Sequence, residues 1–284
     1  MSLPFTTAVR RSVWGLWERR GVGRTRSVPC DTSRLVRGVA RSDLEAIFRS
    51  DRIESEWRAV AGRLKEAGIA EAAIGGVNPG DRRAIFYLVR HLEPEFVLEV
   101  GTHIGASTIH IAAALHRTAP GPGKAPSVTT VDVKDVNDPR RAIWSKYGSA
   151  QAPVEIVRRL GLEERVEFVV GRSLDHLTDA HERYDFIFLD GDHSAPTVYR
   201  EIGAALRALR PGGAILLHDF FPGLRPLWPG KRVIPGPWRA VERLRSEGAD
   251  MEALPLADLP WPTKLGTRTT SLALLVGAAP ARQD

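Results

Sequence analysis

The stretch FVLEVGTHIGAS, residues 96–107, decides the fold that we predict for this chain. Its first half is a short apolar run of β-favouring residues, and its second half is a glycine turn that opens into the apolar-periodic segment 108–115. This order predicts a strand, a tight turn and a helix whose first backbone N–H groups face a ligand. Glu99 stands near the end of the predicted strand, at the sheet edge where open α/β folds bind ligands. The stretch therefore predicts a cofactor site.

The composition fits a globular protein with a nearly neutral body. The chain has 284 residues, 43% of them hydrophobic, and no apolar run approaches the ~20 residues that cross a bilayer. Its single cysteine, Cys30, excludes a disulfide framework and favours a reducing compartment, so we expect a cytoplasmic protein. The whole chain carries +6, whereas its first 41 residues hold nine arginines and two acids, a net of +7. The remainder is close to neutral, so we expect no broad nucleic-acid-binding face.

Residues 1–41 are predicted to form a basic N-terminal arm. Trp14 and Trp17 lie there among arginines, serines and glycines. This composition leaves three alternatives open: a flexible arm, an amphipathic helix on a membrane or on a second copy in a homo-oligomer, and a transit peptide. A secretory signal is not expected, because the arm lacks an apolar core of about 7–15 residues.

The rest of the chain predicts an α/β fold behind an N-terminal helical segment. Residues 42–94 predict two helices, one from Ser42, as cap, to about Gly68 and one over 81–91 with Asp81 as N-cap. From residue 95 onward strands alternate with helices, which indicates a Rossmann-like parallel sheet with helices on both faces. After the first strand, the strands are predicted at residues 128–131, 166–170, 186–189, 214–217, 251–254 and 271–276. The helices that follow the glycine turn are predicted at residues 154–160, 198–209 and 237–246.

The turn from Gly101 to Gly105 has the spacing GxxxG, not the GxGxxG with which dinucleotide folds approach a pyrophosphate. Two turn glycines alone are weak evidence for a ligand. Asp132 ends the second predicted strand, where a carboxylate can accept both hydroxyls of a ribose, and Asp190 ends the fourth. The segment RPGG, residues 210–213, precedes the fifth. Together these features favour a nucleoside-containing cofactor.

With these pieces in view, the sequence resembles the class I S-adenosylmethionine (SAM)-dependent methyltransferases. The resemblance is closest to the bacterial small-molecule O-methyltransferases, which include catechol-type and antibiotic-tailoring enzymes. It implies a doubly wound sheet, mostly parallel with an antiparallel last strand, over residues 95–284, and SAM as cofactor. The matching pieces are VLEVGTHIGAS (97–107), TTVDV (129–133), VVGRS (169–173), YDFIFLDGDHS (184–194) and LRPGGAILLHDF (209–220).

The resemblance implies a role for each residue of the cofactor site. Gly101 and Gly105 would leave room for the methionine part, Ser107 would hold its carboxylate, and Glu99 would lie near its ammonium group. Asp132 would bind the ribose hydroxyls. Gly171 and Ser173 would border the adenine, and Asp190 would face the methionine amine or a metal. Thr102 and His103 lie in the turn, where His103 would pack over the cofactor; the alternative is a solvated loop histidine.

Methyl transfer from a sulfonium needs in-line placement and a nucleophile that loses its proton. His193 is the candidate general base, because a histidine titrates near neutral pH and this one follows Asp190 by three residues; the alternative is a loop histidine that only caps or packs. Asp190 and Asp219 end neighbouring strands and could bind Mg²⁺, with His218 or His193 as a further ligand. In catechol-type relatives an amide follows the second aspartate, whereas Phe220 stands here, and imidazole suits Zn²⁺ or Fe²⁺ better than Mg²⁺.

Aromatic residues beyond the strand ends are candidates for the wall of an acceptor pocket, or else anchors for their loops. They are Trp144, Tyr147, Phe220, Phe221, Trp228 and Trp238. The leading hypothesis is an O-methyltransferase that acts on a hydroxyl of an aromatic, sugar or natural-product acceptor. The alternatives are an N-methyltransferase without a metal, an NAD(P)-dependent oxidoreductase, which the missing GxGxxG disfavours, and a non-catalytic RNA- or membrane-associated protein.

Overall fold

A seven-stranded mixed sheet organises the protein. The computed structural model describes residues 21–68, 76–115, 127–230, 232–256 and 258–278. The strands are β1 (Val97–Val100), β2 (Val128–Asp132), β3 (Val166–Val170), β4 (Tyr184–Leu189), β5 (Leu209–Leu217), β6 (Met251–Pro255) and β7 (Ala273–Gly277). Their order is β3-β2-β1-β4-β5-β7-β6, and β7 runs antiparallel to both of its neighbours while the first five strands are parallel. The predicted Rossmann-like sheet with an antiparallel last strand is therefore confirmed.

Helices cover both faces of this sheet. They are α1 (Arg41–Phe48), α2 (Asp51–Glu66), α3 (Pro79–Leu92), α4 (Ala106–Leu115), α5 (Pro153–Arg159), α6 (Ser173–Asp179), α7 (Ala195–Ala208) and α8 (Gly236–Ser246). Alternate residues of β4 point to opposite faces. Phe186 and Phe188 join a core with α1 to α5, whereas Ile187 and Leu189 join a second core with α6 to α8. A strand buried on both faces explains the apolar run FIFL at residues 186–189.

The N-terminal helical segment differs from the prediction at its first helix. The single helix expected from Ser42 to about Gly68 is two helices, because Ser50 interrupts it and caps α2. The Ser50 hydroxyl accepts a hydrogen bond from the backbone N–H of Ile53 (3.4 Å). Ser42 is not a cap, since Ala40 occupies the N-cap position of α1. A serine that competes for backbone hydrogen bonds thus ends one helix and begins the next.

The cap predicted for the next helix is also wrong. Asn78, not Asp81, is the N-cap of α3, and its side-chain oxygen accepts a hydrogen bond from the Asp81 N–H (3.1 Å). Pro79 follows at the first helical position, where its missing N–H costs nothing. The Asp81 side chain is consequently free of the capping role, and it is fully buried.

Residues 21–40 pack against the domain instead of extending from it. The Val36 N–H donates to the carbonyl of Gly213 in β5 (2.8 Å), and the Gly277 N–H in β7 donates to the Val36 carbonyl (2.9 Å). Leu35 is buried beside them. Over these residues the basic segment is part of the fold, while Trp14 and Trp17 lie outside the described residues. Within the described part of the chain, no helix has the length and apolarity that a membrane crossing requires.

Candidate active site

The carboxyl ends of β1, β2 and β4 enclose a cleft of about 310 Å³. This volume is at the lower end of the ~300–1,000 Å³ typical of small-molecule sites. The cleft brings together most of the residues that the sequence predicts for the cofactor: Gly101, Thr102, His103, Ser107, Asp132, Gly171, Ser173 and Asp190. It also has walls that the prediction missed, namely Val77, Val133, Lys134 and Asp192. Val133 is 67% exposed in the structure. In the sequence, an apolar residue directly after Asp132 is the signal that could have marked it as a ligand contact.

Both turn glycines lie where another segment of the chain approaches closely. Gly101 has φ +97°, and a Cβ there would lie 2.2 Å from the carbonyl oxygen of Asp190. Gly105 has φ +72°, and its Cβ would lie 2.7 Å from the Cβ of Pro153. Any side chain at Gly101 would therefore push the end of β1 away from the end of β4.

Glu99 is a fully buried carboxyl group beneath the turn. One of its oxygens accepts hydrogen bonds from the hydroxyls of Thr130 (2.6 Å) and Thr108, and the other has no partner among the described residues. Burial raises the pKa of Glu99 to about 7 although the neighbouring hydroxyls of Ser107, Thr108 and Thr130 lower it, and the nearby charge of Asp190 raises it further. A cation close to Glu99 would favour its ionised form.

Asp132 is held by the backbone of its own loop and of the glycine turn. Its two oxygens accept hydrogen bonds from the N–H groups of His103 (3.0 Å) and Lys134 (3.0 Å). Each carboxylate oxygen has a second lone pair, so both remain able to accept a hydroxyl. The carboxylate is thus oriented before any ligand arrives.

His103 is not a solvated loop histidine. Its ring packs edge-on against Tyr147, with centroids 4.3 Å apart, and its Nδ1 is buried with no partner among the described residues. Burial lowers the pKa of His103, in spite of the charges of Asp132 and Asp190. A neutral imidazole therefore forms part of the cleft wall.

The structure also brings the four predicted catalytic and metal-binding residues together at the ends of β4 and β5. His193 Nε2 lies 3.4 Å from Asp219 Oδ2 and 3.8 Å from Asp190 Oδ1. His218 Nδ1 lies 2.8 Å from Asp190 Oδ1 and 3.8 Å from Asp219 Oδ1. Asp190 and His193 also line the cleft, so the cluster borders it on one side.

Asp81 belongs to this cluster, and sequence reasoning missed it. Its Oδ2 lies 3.8 Å from His218 Nε2, and its Oδ1 has no partner among the described residues. Burial alone would lower the pKa of His218, but the carboxylates of Asp190, Asp219 and Asp81 outweigh it and raise this pKa well above its usual value. One signal was available: Asp81 lies on the same helical face as the core residue Ile85.

The predicted acceptor wall is only partly at the cleft. Phe220 and Trp228 are each 2% exposed. Phe220 packs against Trp238, and the indole N–H of Trp228 donates to the Thr267 hydroxyl (3.1 Å), so both anchor their loops. Trp144 packs against one of the cores. Tyr147, by contrast, touches His103 of the cleft.

Comparison with known proteins identifies a methyltransferase domain in this chain. Residues 98–220 match the family model described as a methyltransferase domain. A putative O-methyltransferase of Mycobacterium sp. (strain JLS) is 27% identical over 182 residues, which cover 64% of this chain and 73% of that protein. A catechol O-methyltransferase of Mycobacterium tuberculosis is 28% identical over 182 residues, which again cover 64% of this chain and 73% of that protein. The chain is a SAM-dependent methyltransferase, and the relatives that it resembles are O-methyltransferases.

Solved structures of O-methyltransferases share the fold of this methyltransferase. The enzyme TomG of Streptomyces achromogenes superposes with a TM-score of 0.52 at 21% identity, over 76% of this chain and 90% of that one. An O-methyltransferase of Bacillus cereus superposes with a TM-score of 0.51, at 21% identity over the same shares. These matches favour a methyltransferase over the oxidoreductase and the non-catalytic alternatives.

Proposed function

We propose that this methyltransferase transfers the methyl group of SAM to a hydroxyl of a small aromatic or sugar-like molecule, with His193 as general base. One observation carries the proposal: His193 lines the cofactor cleft and at the same time lies 3.4 Å from Asp219. An acceptor hydroxyl next to the cofactor would therefore meet an imidazole whose positive charge, once it has taken the proton, is stabilised by a carboxylate.

The cleft suits SAM in charge and in polarity. When bound, SAM supplies an electrophilic methyl group on a cationic sulfur. Asp190 and Asp192 offset the positive charges of the sulfonium and ammonium groups, and Asp132 accepts the ribose hydroxyls. Ser107 lies in the first turn of α4, where backbone N–H groups and the helix dipole favour the methionine carboxylate. Val133 offers an apolar surface for the adenine.

The same cluster has a donor set that fits a divalent cation. Asp190, His193 and His218 each offer a ligand atom, and these atoms all lie within 4.8 Å of one another. We assign the ion to Asp190 and His218 together with Asp219, whose Oδ1 lies 3.8 Å from His218 Nδ1, in place of His193, which is then available for the proton. When bound, such an ion supplies a Lewis acid that lowers the pKa of an acceptor hydroxyl. Because Phe220 replaces an amide and an imidazole takes part, Mn²⁺, Fe²⁺ or Zn²⁺ fit as well as Mg²⁺.

The test combines an acceptor panel with a matched pair of histidine variants. We expect methyl transfer from SAM to catechols, phenols or sugar hydroxyls, detected by mass spectrometry, and a loss of turnover after chelation that a divalent ion restores. His193→Ala should lower kcat about 10²-fold or more and leave the calorimetric Kd of S-adenosylhomocysteine within about twofold. His181→Ala, at an exposed histidine before β4, is the control.

Three results would contradict parts of the proposal. Methylation of amines alone would replace O-transfer by N-transfer. Normal turnover in His193→Ala would place the base elsewhere. Turnover that chelation leaves unchanged would show that His218, and not a metal, balances the carboxylates of Asp190 and Asp219.

A further inference from the structure

Gly236, the first residue of α8, lies directly against the main chain of His193. A Cβ at Gly236 would come 1.8 Å from the His193 carbonyl oxygen and 2.9 Å from the Ala195 nitrogen. The φ of Gly236 is not in the left-handed region, so its backbone conformation is open to any residue. The glycine is therefore required by this close approach and not by the shape of its own backbone.

The surface that Gly236 presents to His193 is rigid. Ala240, Val241 and Leu244 of α8 are buried in the core that also holds α7. Pro235 precedes Gly236 and is itself buried, and Pro237 follows it. A buried helix with prolines on both sides of its first residue has little freedom to yield, so a side chain at 236 would displace the loop that carries His193.

Both ends of the segment between β5 and α8 meet the same histidine. Near its start, the Oδ2 of Asp219 is 3.4 Å from His193 Nε2, and directly after its end Gly236 lies against the His193 carbonyl. On the other side of the loop, the absent side chain of Gly101 makes room for the carbonyl of Asp190. The loop 190–194 is thus held at Asp190 by the glycine turn and at His193 by the start of α8.

We infer that Gly236 is a positioning residue, which sets the place of the His193 main chain so that the imidazole reaches both the cofactor cleft and Asp219. The inference rests on the proposed role of His193 as general base. Gly236 touches neither reacting group, and it acts through His193. A shift of about 1 Å in a reacting group can cost on the order of 10²-fold in rate, so the contact is expected to matter for kcat.

A double-mutant cycle on the full-length protein tests this inference. Gly236→Ala should lower kcat about 10- to 100-fold, with the Kd of S-adenosylhomocysteine within about twofold of wild type. In the His193→Ala background the same change should cause no further loss, because the group that it displaces is already absent. Gly62→Ala is the matched control, since Gly62 is exposed on α2 and a Cβ there meets no atom within 4 Å.

The NMR signals of the histidine rings report on the position of His193 independently of the overall stability of the protein. The His193 ring signals, assigned by their absence in His193→Ala, should shift in Gly236→Ala and stay in place in Gly62→Ala. Should Gly236→Ala fail to fold, Pro235→Ala loosens the start of α8 without adding an atom. It should lower kcat about two- to fivefold, again only while His193 is present.

Different outcomes separate the two levels of the proposal. Normal turnover in His193→Ala would overturn the base assignment, and this inference with it. Impaired turnover in His193→Ala beside wild-type kcat in both Gly236→Ala and Pro235→Ala would overturn the positioning role alone. Losses that multiply in the double variant, or His193 ring signals that do not shift, would also overturn the positioning role.

Discussion

The candidate active site has two halves, one made by main chain and the other by side chains. At the ends of β1 and β2, the main chain makes the site: the Gly101 turn packs on Asp190, and two backbone N–H groups orient Asp132. At the ends of β4 and β5, ionisable side chains make the site, and one of them, Asp81, comes from the N-terminal helices. The first half depends on backbone shape, whereas the second depends on the balance of charge.

Gly101→Ala is the change expected to break the first half. The new Cβ would meet the Asp190 carbonyl at 2.2 Å, on a residue whose φ is +97°. The Kd of S-adenosylhomocysteine should rise at least about 100-fold, as measured by calorimetry. Gly212→Ala is the control, because Gly212 has φ +80° but open space around its Cβ, and it should keep cofactor affinity. Equal loss in both variants would make backbone strain, and not the clash, the cause.

Asp81→Asn is the corresponding change in the second half. It keeps the size of the side chain and removes one of the carboxylates that face His218. Loss of this partner should lower kcat about tenfold and leave the Kd of S-adenosylhomocysteine unchanged, because Asp81 does not line the cleft. The pH profile of kcat should shift with it, which a purely structural defect would not cause.

The control for this variant is Asp51→Asn, at an exposed aspartate in the first turn of α2. A rise in Kd with kcat unchanged would mean that Asp81 serves the cofactor half, and the division between the two halves would then be wrong at this residue.

Glu99→Gln is expected to have the smallest effect on activity. Its main effect is on how the stability of the folded protein depends on pH. The pKa of Glu99 is about 7 in the folded protein against 4.5 for an ordinary glutamate. Between these values the folded state holds a proton that the unfolded state releases, so wild-type stability falls as pH rises through this window. Glutamine has no such proton, and the variant should gain stability relative to wild type from pH 5 to about 7.

Urea unfolding of both proteins at several pH values measures this difference. Glu201, whose pKa burial also raises to about 7, is common to both proteins and cancels. A stability difference that does not change with pH would show that Glu99 is ionised in the folded state.

The sequence by itself determined which functional residues stand at strand ends: the glycine turn, Asp132, Asp190 and the His218–Asp219 pair. Apolar runs and turn residues are local, and parallel strands bring their carboxyl ends to one edge, so these positions follow from the chain in order. The same local reasoning gave a wrong prediction at Asp81, because aspartate is a common N-cap residue but Asn78 occupies the N-cap position.

Only the tertiary structure decided what surrounds those strand ends. It buried Asp81 beside His218, placed Gly236 on the His193 carbonyl, and turned Phe220 and Trp228 into loop anchors. These contacts join residues that are remote in sequence, and they depend on how closely helices and loops approach in a dense interior. Periodicity reports which face of an element is apolar, but it carries no information on which atom lies opposite.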